Sequence, residues 1–136
     1  MSGETSSGLM NRLEWVLEEK FDGVIVSIGA NDALRGINPK ETKNNLEEII
    51  KIAKSKNIKV IIAGMIAPTS YGFEYKKSFD TIFSDLSKKY KLQLIPFLLE
   101  GVAQKPEFNL SDGMHPNDQG TIIIGNTLKK AILENL

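Results

Sequence analysis

The chain has 136 residues, 41% hydrophobic and 25% charged, the composition of one globular domain with a real core. Lys plus Arg and Asp plus Glu both number 17, so the zero net charge gives no electrostatic case for nucleic acid or an anionic membrane surface. The absence of cysteine excludes disulfides, thiol chemistry and cysteine-based metal sites, and is compatible with either cytoplasm or periplasm. No apolar run approaches ~18 residues, so no transmembrane helix is expected. The polar start Met1-Ser2-Gly3-Glu4-Thr5 carries no basic segment ahead of an apolar one and does not read as a secreted precursor.

Leu9, Leu13, Val16 and Leu17 recur at helical spacing within residues 7–20, opposite Glu14, Glu18, Glu19 and Lys20. Asp22-Gly23 breaks that helix. Val24 to Ile28 is a short, β-branched apolar run, as expected for a strand covered on both faces, and it ends at Gly29-Ala30-Asn31-Asp32. Asn38-Pro39 reads as an N-cap followed by proline at the first helical position, with Leu46, Ile49, Ile50 and Ala53 as the buried stripe. Ile58 to Ala63 is a second buried strand, ended by Gly64. After a loop with Pro68, Tyr71 and Gly72, a third helix carries Phe79, Ile82, Phe83 and Leu86. Leu92 to Phe97 is a third strand. A long loop from about Glu100 to Asn117 precedes a last helix running to about Leu133, with Ile124, Leu128, Ala131 and Ile132 as its apolar positions.

Strands alternating with helices imply right-handed crossovers and a parallel sheet, in a single α/β domain over residues 1–136. In such sheets the ligand sits beyond the carboxyl ends of the strands. Asn31 directly follows the first strand, and the loop after the third strand carries Asp112 and His115, so both reach the same sheet edge.

His115 is the only histidine, three residues after Asp112. An imidazole oriented by a carboxylate is the general-base half of a Ser-His-Asp hydrolase. The Asn31 side-chain amide offers an oxyanion donor near the same strand ends, and Gly3 offers a backbone N–H with no side chain in the way. Each feature also has a plain structural reading. Asp-Gly is a common turn pair, a lone loop histidine is usually a surface residue, and Gly29 to Asp32 reads equally as a turn that caps a helix. The ordered combination carries the weight.

That combination resembles the SGNH hydrolase family, also called the GDSL lipase/esterase family. Ser2-Gly3-Glu4-Thr5-Ser6 is similar to the family's glycine block, Gly29-Ala30-Asn31-Asp32 to its asparagine block, and Asp112-Gly113-Met114-His115-Pro116-Asn117 to its acid–base block. Leu34-Arg35-Gly36, Pro68 with Tyr71-Gly72, and Leu94-Ile95-Pro96-Phe97 resemble the arylesterase, thioesterase I and lysophospholipase L1 branch. The resemblance implies a three-layer α/β/α, flavodoxin-like fold with a parallel sheet, and no metal or organic cofactor. It implies His115 as base, Asp112 as its orienting acid, and Gly3 and Asn31 as the oxyanion hole. The substrate would be a small acyl ester or thioester, its apolar group walled by Ile66, Tyr71, Phe73 and Phe108. Those four are also ordinary packing residues.

One family block has no match. The Gly-Asp-Ser-Leu-type motif that supplies the nucleophile occurs nowhere in the chain. The resemblance therefore implies an N-terminally truncated fold that keeps about three strands and lacks roughly 30–50 residues, about one βαβ unit. Met1 stands where the family commonly has a small aliphatic residue, as an alternative start at a valine codon would give. A signal peptide, if any, would lie in the absent part, which leaves the compartment open. Ser2, Ser6 and Ser7 read as loop and helix-cap residues rather than substitute nucleophiles, so the chain alone is expected to be inactive or nearly so. Its first strand becomes an exposed apolar edge, a template for self-association or for a separate N-terminal fragment. Two other readings stay open: a non-catalytic remnant or binding module that associates through that edge, and a flavodoxin-like phosphate binder. The latter is disfavoured because Gly29 to Gly36 holds only two glycines and Asp32 is expected to face the site.

Overall fold

Thr5 starts the first helix, α1 (Ser6–Val16), by accepting the Gly8 N–H on its side-chain oxygen at 3.2 Å. The computed structural model describes residues 3–19, 21–95, 107 and 117–134. α1 ends four residues short of the helix expected over 7–20. The Glu18 N–H bonds the Trp15 carbonyl three residues back, which tightens the last turn, while Leu17 still bonds Leu13 and stays buried.

β1 (Gly23–Val26) is shorter than the Val24–Ile28 run that forecast it. It is followed by a five-residue helix, α2 (Ala30–Leu34), where the sequence suggested a turn. α3 (Pro39–Ser55) begins as its sequence dictates, with the Asn38 Oδ1 accepting the Lys40 N–H at 3.0 Å and proline in the first turn. β2 (Lys59–Ala63), a short 3₁₀ turn at Thr69–Tyr71, α4 (Phe73–Tyr90) and β3 (Gln93–Ile95) follow. These elements lie in the first of two compact units, Met1–Pro96 and Phe97–Leu136. In the second unit, α5 (Asp118–Glu134) starts where Asn117 Oδ1 accepts the Gly120 N–H at 2.9 Å.

The three strands are parallel in the order β1-β2-β3, with Val24 opposite Val60 and Ile62 opposite Leu94. Right-handed crossovers between successive neighbours put α3 and α4 on one face. There Val24, Val26, Val60, Ile62 and Leu94 pack into one cluster with Leu46, Ile49, Ile50 and Ala53 of α3 and Phe79, Ile82, Phe83 and Leu86 of α4. Burying each large apolar side chain contributes roughly 1.5–3 kcal/mol, so this cluster dominates the unit's stability. Among the described residues, β1 is an edge strand, as its sequence foretold.

Candidate active site

The chain leaves β1 through Ser27 and Ile28 and turns sharply at Gly29, whose φ is +120°. An ideal Cβ there would stand 3.3 Å from Phe83 Cζ and 3.4 Å from Phe79 Cζ, so the core aromatics and the backbone together demand glycine. This turn delivers Asn31 and Asp32 at the carboxyl end of β1, on α2.

Asn31 Nδ2 donates to the Glu4 carbonyl at 3.0 Å, and Arg35 Nη2 donates to the Gly3 carbonyl at 3.1 Å. These two bonds strap Gly3-Glu4 to α2. They bring together the two residues read as oxyanion donors, although 28 positions separate them. Gly3 has φ +74°. The Asn31 amide spends one of its two N–H groups on Glu4 and keeps the second. The strap is fixed from its other side by Arg12, whose Nε and Nη2 donate to the Glu4 carboxylate at 2.8 and 2.9 Å. The Arg12 hydrogen bonds hold the Glu4 carboxyl below its usual pKa.

Asp32 does not face the site, contrary to the sequence reading. It is completely buried and accepts three hydrogen bonds: Ser6 N–H at 2.8 Å, Ser6 Oγ at 2.5 Å and Thr42 Oγ1 at 2.7 Å. Asn45 Nδ2 donates to Ser6 Oγ at 3.1 Å, and the Tyr75 hydroxyl donates to the Ile37 carbonyl at 2.7 Å and the Asp32 carbonyl at 3.3 Å. Burial and the nearby Asp32 push the Tyr75 phenol pKa up. The adjacency explains the misreading. Successive residues on a helix point about 100° apart, so Asn31 and Asp32 cannot share a direction. A signal for this hub existed in Thr42, which continues the Leu46, Ile49, Ile50 and Ala53 stripe one turn earlier. A threonine in an apolar stripe needs a buried acceptor.

The hub also fixes the role of Ser6. Its hydroxyl is sealed from solvent and its proton is committed to Asp32, so it is a structural residue. Thr5 Oγ1 is taken up by its cap. Ser7 is half-buried on α1, and Ser2 lies outside the described residues. So do Asp112, His115 and Phe108. Of the wall candidates, Ile66 and Tyr71 are about half exposed and Phe73 is 81% exposed. Tyr71 lies over Gly36 and donates its hydroxyl to the Leu34 carbonyl at 3.2 Å. Among the described residues, no group of three or more His, Asp or Glu is placed to hold a metal. No described helix is long and apolar enough to cross a membrane.

The model of the GDSL-like lipase/acylhydrolase family matches residues 1–121. An arylesterase of Vibrio mimicus is 33% identical over 137 residues, covering all of this chain and 68% of its own length. Thioesterase 1/protease 1/lysophospholipase L1 of Escherichia coli is 32% identical over 133 residues, covering 97% of this chain and 64% of its own. The chain thus spans about two thirds of these relatives. The structure of the esterase EstA from a Pseudoalteromonas species superposes with a TM-score of 0.93 at 30% identity, over 98% of this chain and 73% of EstA.

Proposed function

The chain belongs to the GDSL-like lipase/acylhydrolase family, and from that premise we propose that it carries the base, the acid and the oxyanion donors of an SGNH-type ester or thioester hydrolase. The observation that carries the reading is the strap: Asn31 and Arg35 hold the Gly3-Glu4 backbone beside the carboxyl end of β1. The strap supports a reading in which two donors of different origin, one backbone and one side chain, meet a carbonyl oxygen as it gains charge. Donors fixed before the reaction need no reorganisation during it, and deleting one typically costs about 3–4 kcal/mol of transition-state stabilisation.

His115 takes the proton of a serine hydroxyl as its oxygen attacks the acyl carbonyl, and Asp112 holds the imidazole tautomer. The carbonyl π pair moves onto oxygen, where Gly3 N–H and the free Asn31 N–H donate to it. Collapse expels the alcohol or thiol, protonated by His115. Water, activated by the same imidazole, releases the acid. The attacking serine is not Ser6, whose hydroxyl is buried and bonded. The 136 residues contain no Gly-Asp-Ser, so we propose that they are inactive or nearly so alone and become active when a segment bearing that block is joined ahead of Met1.

The test is hydrolysis of p-nitrophenyl acetate and butyrate by this chain and by the same chain extended N-terminally with a Gly-Asp-Ser segment. Turnover by the extended protein alone, lost in His115→Ala, bears the reading out. Turnover by the short chain that Ser7→Ala or Ser2→Ala abolishes would overturn the nucleophile assignment. Inactivity of both would overturn the hydrolase assignment.

A further inference from the structure

We infer that Lys76 and Asp80 are positioning residues that set acyl-chain preference by holding the segment after β2 as a fixed apolar wall, a role that rests on the hydrolase reading and deepens it. Residues 64–68 leave β2 without forming helix or strand. The Gly64 N–H bonds the Ile95 carbonyl of β3 at 2.7 Å, and the next buried residue is Ala67. A buried backbone must find partners for both of its polar groups. Those of Ala67 come from two side chains one turn apart on α4. Asp80 Oδ1 accepts the Ala67 N–H at 2.7 Å, and Lys76 Nζ donates to the Ala67 carbonyl at 3.0 Å. Lys76 Nζ also donates to Asp80 Oδ2 at 2.7 Å, which closes the clamp on itself.

The clamp lies between the two half-exposed side chains read as an acyl wall, Ile66 and Tyr71. Ile66 directly precedes the clamped residue. At the far end of the segment the Tyr71 ring stacks 5.3 Å from Tyr75, and its hydroxyl donates to the Leu34 carbonyl. A Cβ on Gly36 would stand 2.6 Å from that ring, so the turn after α2 is shaped to receive it. The segment is thus tied to α4 at Ala67 and to the end of α2 at Tyr71. β1 and β2 are parallel neighbours, so it leaves the sheet beside the carboxyl end of β1, where Asn31 holds the Gly3-Glu4 strap.

Fixing a lysine and a carboxylate costs side-chain entropy, and a partly exposed ion pair returns little stability. An isoleucine held still in water contributes nothing to folding. One held ready for an apolar ligand spares the cost of ordering it on binding. A long acyl chain touches more of such a wall than a short one, so the clamp acts on chain-length preference rather than on turnover in general.

The chain extended with the Gly-Asp-Ser segment is assayed on p-nitrophenyl butyrate and octanoate. Lys76→Met keeps the stem and removes the ammonium, and Asp80→Ala removes the acceptor. Each should lower the octanoate-to-butyrate ratio of kcat/KM about fivefold or more, and Lys76→Arg should hold it within about twofold of wild type. Lys43→Met breaks the 3.5 Å pair with Asp85, also on α4, and should leave the ratio unchanged. A clamp that only supports folding would lower both rates in proportion to the folded fraction, so an unmoved ratio in Lys76→Met and Asp80→Ala overturns the inference. So does an equal shift in Lys43→Met. Should the extended protein hydrolyse neither ester, the hydrolase reading fails by itself, and the clamp is decided on the 136-residue chain. There octanoate is titrated while methyl NMR follows Ile66. Saturable shifts in wild type, with affinity weakened about fivefold or more in Lys76→Met, bear the clamp out. No shift, or equal affinity in both proteins, overturns it.

Discussion

The two boundaries of β1 are built on opposite plans. Its carboxyl end closes on a polar hub in which every partner comes from the same chain: Asp32, Ser6, Thr42, Asn45 and Tyr75. Among the described residues, no buried side-chain nitrogen or oxygen lacks a hydrogen bond. Along its outer edge Gly23 and Ile25 turn their backbone groups away from β2, where no described strand pairs. Polar satisfaction can be completed by a few side chains from neighbouring turns, but a strand edge is completed only by another strand. The groups at the carboxyl end of β1 thus satisfy one another, whereas no strand pairs with its outer edge among the described residues.

Removing the hub should break that contrast most strongly. Asp32→Ala leaves the Ser6 N–H, the Ser6 hydroxyl and the Thr42 hydroxyl without their acceptor. Each stranded buried donor costs about 1–3 kcal/mol, so a loss of about 3 kcal/mol or more is expected in urea unfolding. A loss below about 1 kcal/mol would mean the hub is not what closes this end.

Gly29→Ala comes next. It forces a non-glycine residue to φ +120° and drives a methyl against Phe79 and Phe83. A destabilisation of about 1–3 kcal/mol is expected, with chemical-shift changes at the Asn31 side-chain amide. Unchanged stability would mean the turn has an alternative geometry that the core aromatics tolerate.

How much of this was legible follows the same division. α3 could be read because its signals are local: Asn38-Pro39 starts it, and Leu46, Ile49, Ile50 and Ala53 repeat at helical spacing. α4 was equally plain from Phe79, Ile82, Phe83 and Leu86. α2 was read as a turn because five residues are too few to show a period. Gly3 and Asn31 were singled out through motif order, and the structure ties the Gly3-Glu4 backbone to Asn31 and Arg35. Asp32 was misassigned because its partners lie 26 and 10 residues away, and no local pattern encodes them. The proposed base and acid, His115 and Asp112, lie outside the described residues, and their roles rest on the sequence alone. Asn31→Ala tests the strap itself. It should cost about 1 kcal/mol in stability through the lost Glu4 bond. In the protein extended with a Gly-Asp-Ser segment it should cost about 10²–10³ in kcat with KM little changed. A loss in KM alone would make Asn31 a substrate contact rather than an oxyanion donor.

The smallest expected effect concerns the far side of the same strap. Arg12 hydrogen bonds hold the Glu4 carboxyl below its usual pKa in the folded protein, and the unfolded chain has no such partner. On acidification the unfolded state therefore takes up the proton first, which favours unfolding. The contribution of the pair is complete above the ordinary carboxylate value of 4.5 and is lost as pH falls through the depressed folded value. Arg12 is about one-third exposed, so solvent screens the pair from that side and the effect is modest. Glu47, similarly lowered by Lys89 and Tyr90, adds a background of the same sign. Comparing wild type with Glu4→Gln removes that background. Between about pH 7 and pH 3, wild type should lose more stability in urea than Glu4→Gln. Amides of residues 3–6 should gain exchange over the same window in wild type only. Parallel pH profiles for the two proteins would show that Arg12 does not anchor the strap, leaving Asn31 and Arg35 as its sole ties to the end of β1.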